Sequence, residues 1–215
     1  MKLNKITYFY PEKPVLMMIE TDAFKKMSES KDWIAEPKFN GSRCEVHMLN
    51  GNVEFWDRHG KHLDYNSNSL YNDGRLNIIA ELRKAFGYKG YFVLDGELRH
   101  NKVEGIQNKL VIYDIHVYKN EVLNKLTFKE RRNILESHFR NWYYDISVPV
   151  HLINQHKTDF DGVFSDYVSG EWGNSDEFEG IVIKNINGKL NLSRSSNRKS
   201  NWMFKIRKQT GRHRY

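Results

Sequence analysis

Short segments in which apolar and polar residues alternate constrain the fold of this chain more than any other feature. Residues 32–39, 43–49 and 52–58 alternate in this way, with turn signals at Gly41 and at the Asn-Gly-Asn sequence of 50–52. Alternation with a period of two is typical of strands, and glycine between strands marks tight turns. The three segments therefore predict successive strands of an antiparallel meander.

Helical patterns lie between further strand patterns. Residues 74–87 carry apolar side chains at helical spacing and end at Gly87, and residues 158–171 show a weaker helical pattern. Residues 126–139 contain Thr127 followed three positions later by Glu130, the spacing of a capping box. The remaining strand patterns are 91–100, 109–118, 177–185 and 202–208. Because strands run in groups with helices between them, we expect an α+β fold with antiparallel sheets rather than a doubly wound parallel sheet.

Composition narrows the functional classes. The chain has 215 residues and a net charge of +7, which suits one large domain or two small ones and favours polyanionic partners, nucleic acid first. The single cysteine, Cys44, excludes an internal disulfide and a cysteine zinc site, and it predicts a reducing compartment. The opening residues lack the apolar core of a signal peptide, and no stretch approaches the length of a membrane span. We therefore expect a soluble protein of the cytoplasm or, for a viral protein, of the host cell interior.

Five short clusters place a charged residue at a strand end or beside a glycine. They are residues 38–41, 57–60, 94–98, 179–184 and 202–207. Each alone is typical of an ordinary turn or an exposed strand end. Together, in this order, they resemble the nucleotidyltransferase motifs of the ATP-dependent polynucleotide ligases, a superfamily that includes DNA ligases, RNA ligases and mRNA capping enzymes. The resemblance covers the chain from Trp33 to Arg207 and specifically implies two antiparallel-sheet subdomains with a nucleotide cleft between them.

The first two clusters correspond to the family's nucleophile and to two arginines. Lys38 stands where the family lysine becomes covalently attached to AMP, and Glu36 where a glutamate reads the adenine amino group. Arg43 matches an arginine that follows the lysine motif. Arg58, with Gly60, matches the next motif.

The later clusters correspond to nucleotide-binding and metal-binding positions. Glu97, in the Asp-Gly-Glu motif, matches a residue that contacts the ribose. Tyr113, which is followed by Asp114, matches an aromatic residue that stacks on the base. Glu179 and Lys184 match the Glu-Gly-x-x-x-Lys motif without a gap. Lys205 matches the last motif, where Arg207 replaces its second lysine.

The resemblance thus implies catalytic, nucleotide-binding and metal-binding sets. The catalytic residues are Lys38, Arg43, Lys184 and Lys205. The nucleotide-binding residues are Glu36, Lys38, Arg43, Arg58, Glu97, Tyr113, Lys184 and Lys205. The metal ligands are Glu97 and Glu179. The implied cofactors are ATP, with AMP covalently bound to Lys38, and Mg²⁺ or Mn²⁺; the implied partner of a monomeric enzyme is nicked duplex DNA or RNA.

The chemistry of these residue types agrees with that assignment. A nucleophilic lysine must lose its proton, and free lysine has a pKa of about 10.4. Neighbouring cations favour the neutral amine and also stabilise the charge that develops as pyrophosphate leaves. Carboxylates can hold ribose hydroxyls or, together with phosphate oxygens, Mg²⁺. At Gly41 the backbone is expected to approach the nucleotide closely.

Two departures from the family pattern keep other functions open. Asn40 stands where the family usually has aspartate. After Arg207 we expect only a basic tail, 208–215, on a nucleotidyltransferase domain of 1–215, in place of the family's OB-fold domain, so the chain is either a catalytic-domain fragment or a minimal enzyme. The short stretch before Lys38 leaves no room for a module that captures nicotinamide mononucleotide, which favours ATP over NAD. An ATP-dependent DNA ligase is the first hypothesis, followed by an RNA ligase and a capping guanylyltransferase. A catalytically inactive nucleic-acid-binding relative is the alternative from another class.

Three other groups of residues carry weaker signals. The nine histidines are scattered, which disfavours a histidine metal site. The aromatic residues of 141–146 are more typical of a core than of a base-stacking platform. The stretch 194–214 is dense in arginine and lysine and favours contacts with phosphates.

Overall fold

The structure is a computed structural model of the chain. It describes residues 3, 5–63, 65, 72–100, 102–139, 148–171, 175–194, 196 and 198–208. The aromatic cluster of 141–146 and the tail after Lys208 lie outside these residues. Within the described residues, no helix is long and apolar enough to cross a membrane.

Ten strands and four helices follow one another along the described chain. In order they are β1 (Lys13–Leu16), α1 (Asp22–Glu29), β2 (Trp33–Phe39), β3 (Ser42–Leu49), β4 (Asn52–Asp57), α2 (Asn72–Phe86), β5 (Tyr91–Arg99), β6 (Lys109–Tyr118), β7 (Glu121–Val122), α3 (Phe128–His138), β8 (Val150–Leu152), α4 (Phe160–Ser169), β9 (Phe178–Asn185) and β10 (Lys199–Arg207). A turn of 3-10 helix, Ser175–Glu177, precedes β9. The mixture of sheets and helices confirms the α+β fold class.

The chain forms two compact units, each assembled from separate segments. The larger unit comprises Met1–Glu12, Gly41–Ile153 and Lys189–Arg198. The smaller unit comprises Lys13–Asn40, Asn154–Gly188 and Lys199–Tyr215.

The larger unit is built on a six-stranded sheet. Its strand order is β4-β3-β5-β6-β7, with β8 paired to β6. The inner strands are apolar, as in β6, where Leu110, Ile112 and Ile115 are fully buried. Helices α2 and α3 supply further core residues, including Ile78 and Leu135. Burial of these side chains against the sheet accounts for the apolar character that the sequence shows in both kinds of element.

The smaller unit is built on a four-stranded sheet with the order β1-β10-β9-β2. Strand β9 pairs antiparallel with both β10 and β2, and β1 pairs parallel with β10. The parallel β1–β10 and β6–β8 pairs correct the expectation of purely antiparallel sheets. Strands β1, β7 and β8 and helix α1 were not identified from the sequence, since each spans eight residues or fewer.

Two predicted helix boundaries are confirmed. Helix α3 has a complete capping box, in which Thr127 Oγ1 accepts from the Glu130 backbone N–H and the Glu130 carboxylate accepts from the Thr127 backbone N–H. These contacts satisfy backbone donors at the helix start that have no partner within the helix. Helix α2 ends at Phe86, directly before Gly87.

The predicted meander is wrong at its first turn. Strand β2 pairs with β9 in the smaller unit, whereas β3 pairs with β4 and β5 in the larger unit. The chain therefore passes from one sheet to the other between Asn40 and Gly41. Alternation identifies a strand and its two faces but carries no information about which strand it pairs with.

The close approach expected at Gly41 is made by strand β5. A Cβ atom at Gly41 would lie 2.6 Å from Glu97 Cγ and 2.9 Å from the Leu98 carbonyl oxygen. Both distances are shorter than the van der Waals contact distance of a Cβ atom, so only glycine fits at this position. The packing of Gly41 against β5 within the larger unit thus explains why glycine occupies this position.

Candidate active site

Strand register gathers three separate sequence clusters onto one face of the smaller sheet. Directly opposed residues on neighbouring strands point to the same face. The opposed pairs are Lys38–Gly180, Glu36–Val182, Val182–Lys205 and Gly180–Arg207. The alternation along each strand adds Lys184, two residues beyond Val182, to this face. We call it the lysine face.

Lys38 forms an ion pair with a glutamate from the fourth motif. Its Nζ donates to Glu179 Oε2 at 2.5 Å, and Arg207 donates to the same oxygen. The pairing register shifts by one residue at this point, and such bulges redirect side chains. Burial alone would raise the pKa of the Glu179 carboxyl, but the charges of Lys38 and Arg207 outweigh it and lower that pKa. Glu179 is therefore ionised at neutral pH and accepts from both cations.

Lys184 and Glu36 form a buried ion pair. Lys184 Nζ lies 2.6 Å from Glu36 Oε2, and the two residues are 4% and 1% exposed. Gln155 donates to the other Glu36 oxygen at 2.8 Å. Desolvated charges of this kind need each other, because removal of one leaves the other buried without compensation. The pair fixes both side chains that the resemblance assigns to nucleotide binding.

Lys205 has the clearest depression of a lysine pKa among the described residues. Burial lowers the pKa of its amine, and the nearby positive charges of Arg207, Lys38 and Lys13 lower it further. Each of these factors favours the neutral amine over the ammonium ion. The lowered pKa reflects burial together with the number of basic side chains that lie close to Lys205. A surface with this many basic groups is suited to binding an anion.

The backbone at Gly180 admits no side chain. Its φ is +136°, and an added Cβ would lie 2.1 Å from the Ile206 carbonyl oxygen of β10. The glycine of the Glu-Gly-x-x-x-Lys motif is therefore required by the approach of β9 to β10.

In the larger unit, Arg43 is held by an aspartate of the third motif. Its Nε donates to Asp95 Oδ1 at 3.0 Å and its terminal nitrogen to Oδ2 at 2.6 Å, while a third N–H reaches the Glu12 carbonyl oxygen at 3.1 Å. The guanidinium carbon lies 6.0 Å from the centre of the Tyr113 ring, which the resemblance assigns to base stacking. A bidentate pair of this geometry orients a guanidinium closely.

Arg58 lies on an exposed turn that two tyrosines hold. Tyr8 donates its hydroxyl to the Asp57 carbonyl at 2.8 Å, and Tyr10 donates to the His59 carbonyl at 3.2 Å. The Arg58 Nε donates to the His59 ring at 3.1 Å. The tyrosines fix the backbone of the motif, while the arginine head points to solvent.

The two predicted metal ligands lie in different units. Glu97 is opposite Arg43 in the larger sheet, and Glu179 belongs to β9 of the smaller one. Within the described part of the chain, no group of three or more histidine, cysteine, aspartate or glutamate residues could hold a metal ion. A divalent ion would accordingly need ligands from a nucleotide, whose phosphate oxygens Mg²⁺ prefers.

Asn40 uses its amide as a donor. Its Nδ2 donates to the Asp176 carbonyl at 3.2 Å, and its backbone N–H donates to the Glu177 carbonyl at 2.8 Å. An aspartate at this position could accept but not donate, and its charge would face a carbonyl oxygen.

We therefore expect Asn40→Asp to destabilise the protein by about 1 kcal/mol, the usual worth of one hydrogen bond. Urea denaturation of the two proteins measures this difference. Asn40→Ser, which keeps a donor, is the matched comparison. A more stable Asn40→Asp variant would contradict the donor role of the amide.

Sequence reasoning missed the buried charges of the larger sheet. Glu45, His47 and His116 are each 2% exposed or less, and Arg131 is fully buried. The sequence could have indicated part of this cluster, because Arg43, Glu45 and His47 occupy alternate positions of β3 and so lie on the same face of the sheet. Arg131 gives no such signal, since it follows other charged residues in an amphipathic helix.

Comparisons with known proteins relate the sequence to one protein family. The sequence matches the ATP dependent DNA ligase domain family over residues 15–101 and 99–207. A DNA ligase of Methanococcus vannielii is 26% identical, over 85% of this chain and 36% of that protein. The chain thus spans about a third of the length of this relative.

Solved ligase structures share the fold. A mycobacterial DNA ligase D complexed with ATP and MES has a TM-score of 0.63 and 15% identity, covering 93% of this chain and 60% of that one. The ATP-dependent DNA ligase of bacteriophage T7, in complex with ATP, has a TM-score of 0.55 and 15% identity, covering 92% and 68%. The family match extends over nearly the whole sequence, so the chain belongs to the ATP-dependent DNA ligase domain family.

Proposed function

We propose that this chain carries out the nucleotidyl-transfer chemistry of an ATP-dependent DNA ligase. The observation that carries the proposal is the lysine face, where Lys38 shares one face of the sheet with Lys205, Arg207 and the Glu36–Lys184 pair. This face combines a nucleophile with the cations that a triphosphate requires. Membership of the DNA ligase domain family favours DNA over RNA as the substrate.

In the proposed first step, Lys38 Nζ attacks the α-phosphorus of ATP. An N–P bond forms, the bond to pyrophosphate breaks, and the amine loses a proton. Glu179, which accepts from Lys38 at 2.5 Å, is placed to receive that proton. Lys205 and Arg207 would stabilise the negative charge on the phosphates as pyrophosphate leaves.

In the later steps the AMP would move from Lys38 to the 5′-phosphate of a nick. The 3′-hydroxyl would then attack that phosphate, form the phosphodiester and release AMP. In the larger unit, Arg43, Arg58, Glu97 and Tyr113 are the proposed nucleotide-binding residues, on the strength of the motif resemblance.

In this proposal, a divalent ion binds together with the nucleotide. On the strength of the motif resemblance, the carboxylates of Glu97 and Glu179 are the proposed metal ligands, with phosphate oxygens and water completing the coordination. When bound, the ion would neutralise phosphate charge and polarise the α-phosphate.

Incubation with ATP and Mg²⁺, followed by intact mass measurement, tests the first step. A mass increase of one AMP group, lost on treatment with acid, is the expected result. A parallel incubation with GTP separates a ligase from a capping guanylyltransferase. Absence of an adduct with every nucleotide would instead support the inactive nucleic-acid-binding relative.

Sealing should depend on salt far more than adenylation does. The Lys and Arg residues that neutralise DNA phosphates release counterions, with a log–log slope of about −0.9 per contact. Four such contacts predict a loss of about 100-fold in nick affinity between roughly 50 and 200 mM salt. ATP binds in a small site and should be affected much less.

The measurement compares the single-turnover rate of sealing at subsaturating DNA with the rate of adduct formation across that salt range. Nicked DNA and an otherwise identical nick with RNA on its 3′-hydroxyl strand test the substrate preference. Equal losses of both activities would contradict a separate DNA-contacting surface.

A further inference from the structure

A cluster of buried charges lies beside Arg43 in the larger unit and has no role in the proposed chemistry. Its members are Glu45 on β3, Asp95 on β5 and His116 on β6, which are 2%, 2% and 1% exposed. Glu45 and Asp95 are directly opposed in the pairing of β3 with β5, so both side chains point to the same face. Two buried carboxylates in this arrangement repel each other.

The His116 ring contacts both carboxylates. Its Nδ1 lies 3.3 Å from Glu45 Oε1 and its Nε2 lies 3.5 Å from Asp95 Oδ2. A neutral imidazole has only one N–H, whereas the protonated ring carries one on each nitrogen. Contact with a carboxylate on each side therefore favours the charged ring.

The balance of buried charges also favours the protonated His116 ring. Arg43 offsets Asp95 through two hydrogen bonds, which leaves the Glu45 charge to be offset mainly by the histidines that contact it. Neither Glu45 oxygen has a partner in hydrogen-bond geometry, so the carboxylate depends on ion-pair contacts. A buried carboxylate without a positive partner would be strongly destabilising.

The pKa directions agree with this arrangement. Burial alone would lower the pKa of His116, but its close contact with Glu45 and the charges of Asp95 and Glu45 raise it. Burial alone would raise the pKa of Glu45, but the contacts with His116 and His47 lower it.

We propose that His116 is a positioning residue for nucleotide transfer: it bridges Glu45 and Asp95 and thereby fixes the carboxylate that orients Arg43. The inference rests on the proposed function, in which Arg43 binds the nucleotide. His116 acts through Asp95, whose two oxygens accept from Arg43 at 3.0 and 2.6 Å. Without the bridge, Asp95 loses the contact of its Oδ2 with the His116 ring, 3.5 Å away, and the guanidinium loses its fixed orientation.

His47 provides a matched control. Its Nε2 lies 3.3 Å from Glu45 Oε2, as near as His116 is to the other oxygen, and its Nδ1 is 2.7 Å from the Tyr91 hydroxyl. His47 thus shares the contact with Glu45, while the pairing with Asp95 belongs to His116. Comparing His116→Gln with His47→Gln isolates the Asp95 contact.

The experiment measures kcat and KM for adduct formation with ATP. We expect His116→Gln to lower kcat/KM about tenfold, within the range of couplings between contacting residues, and His47→Gln to change it less than twofold. In an Arg43→Lys background, His116→Gln should cost less than twofold more, because the bidentate pair is already lost. A tenfold loss in both backgrounds would show that His116 acts independently of Arg43 and would overturn the proposal.

The double variant Glu45→Gln/His116→Gln covers the case in which His116→Gln does not fold. It removes the charge that His116 balances, so its melting temperature should recover while kcat/KM stays about tenfold low. Full recovery of kcat/KM would mean that His116 only neutralises Glu45, and the proposal would be wrong.

An NMR measurement separates this inference from the proposed function. The Arg43 Nε–H signal, assigned by its loss in Arg43→Lys, should exchange slowly with solvent in the wild type and in His47→Gln, and rapidly in the double variant. Slow exchange in the double variant would overturn the positioning role. Failure of the wild type to form an AMP adduct, with this NMR pattern intact, would instead reject the proposed function.

Discussion

Replacing Lys38 with alanine is expected to abolish the covalent AMP adduct. Loss of a nucleophile removes the reaction path itself, and in other enzymes it costs on the order of 10⁴ to 10⁶ in rate. Intact mass measurement after incubation with ATP and Mg²⁺ should therefore show the Lys38→Ala protein at its unmodified mass. Nick sealing should be lost with it, unless the DNA is supplied already adenylated at its 5′ end.

Lys38→Arg is the matched variant for this test. Arginine keeps a positive charge beside Glu179, but its guanidinium stays protonated in proteins and does not act as a nucleophile. The Lys38 side chain is only 20% exposed, so folding must be checked in both variants by circular dichroism. Both should fold, because Glu179 retains its ion pair with Arg207.

Lys205 is the alternative nucleophile that this experiment must exclude. It lies on the same face, and the pKa of its amine is lowered. Lys205→Arg should slow adduct formation without abolishing it. A persistent adduct in Lys38→Ala that disappears in Lys38→Ala/Lys205→Arg would place the nucleophile at Lys205.

Replacing Arg131 with methionine is expected to destabilise the larger unit by about 3–5 kcal/mol, the cost of leaving a buried charge without its partner. Arg131 is fully buried in α3 and donates to both oxygens of Asp114, at 2.8 and 2.9 Å. A further N–H reaches the Leu126 carbonyl at 2.7 Å. Methionine fills the space but removes the guanidinium that offsets the charge of the buried Asp114 carboxylate.

Urea denaturation followed by circular dichroism measures this loss. Lys129→Met changes an exposed residue of the same helix and should shift the free energy of unfolding by less than about 0.5 kcal/mol. The double variant Arg131→Met/Asp114→Leu removes both charges and should recover much of the stability. A small effect of Arg131→Met alone would show that Asp114 is compensated by other groups.

The sequence by itself determined most of the elements and the motif positions. The alternation along residues 43–49 and the capping box at Thr127 arise from local geometry, so each can be read without knowing the rest of the chain. The order of the charged clusters likewise identified the family that the comparisons confirm. Local patterns carry this information because strands and helix caps are defined by neighbours in the sequence.

Only the tertiary structure decided which strands pair and which charges meet. Lys38 and Glu179 are 141 residues apart, and the choice of β9 rather than β3 as the partner of β2 brings them together. Gly41 was correctly expected at a close approach, but the structure showed that β5 approaches it. The same limit hid His116, because a histidine in an apolar strand gives no sign that two carboxylates on one neighbouring face will flank it. The pairing of strands and the desolvation of charged side chains both depend on segments that are distant in the sequence. A charge becomes costly, and its contacts become strong, only after those segments have excluded water around it.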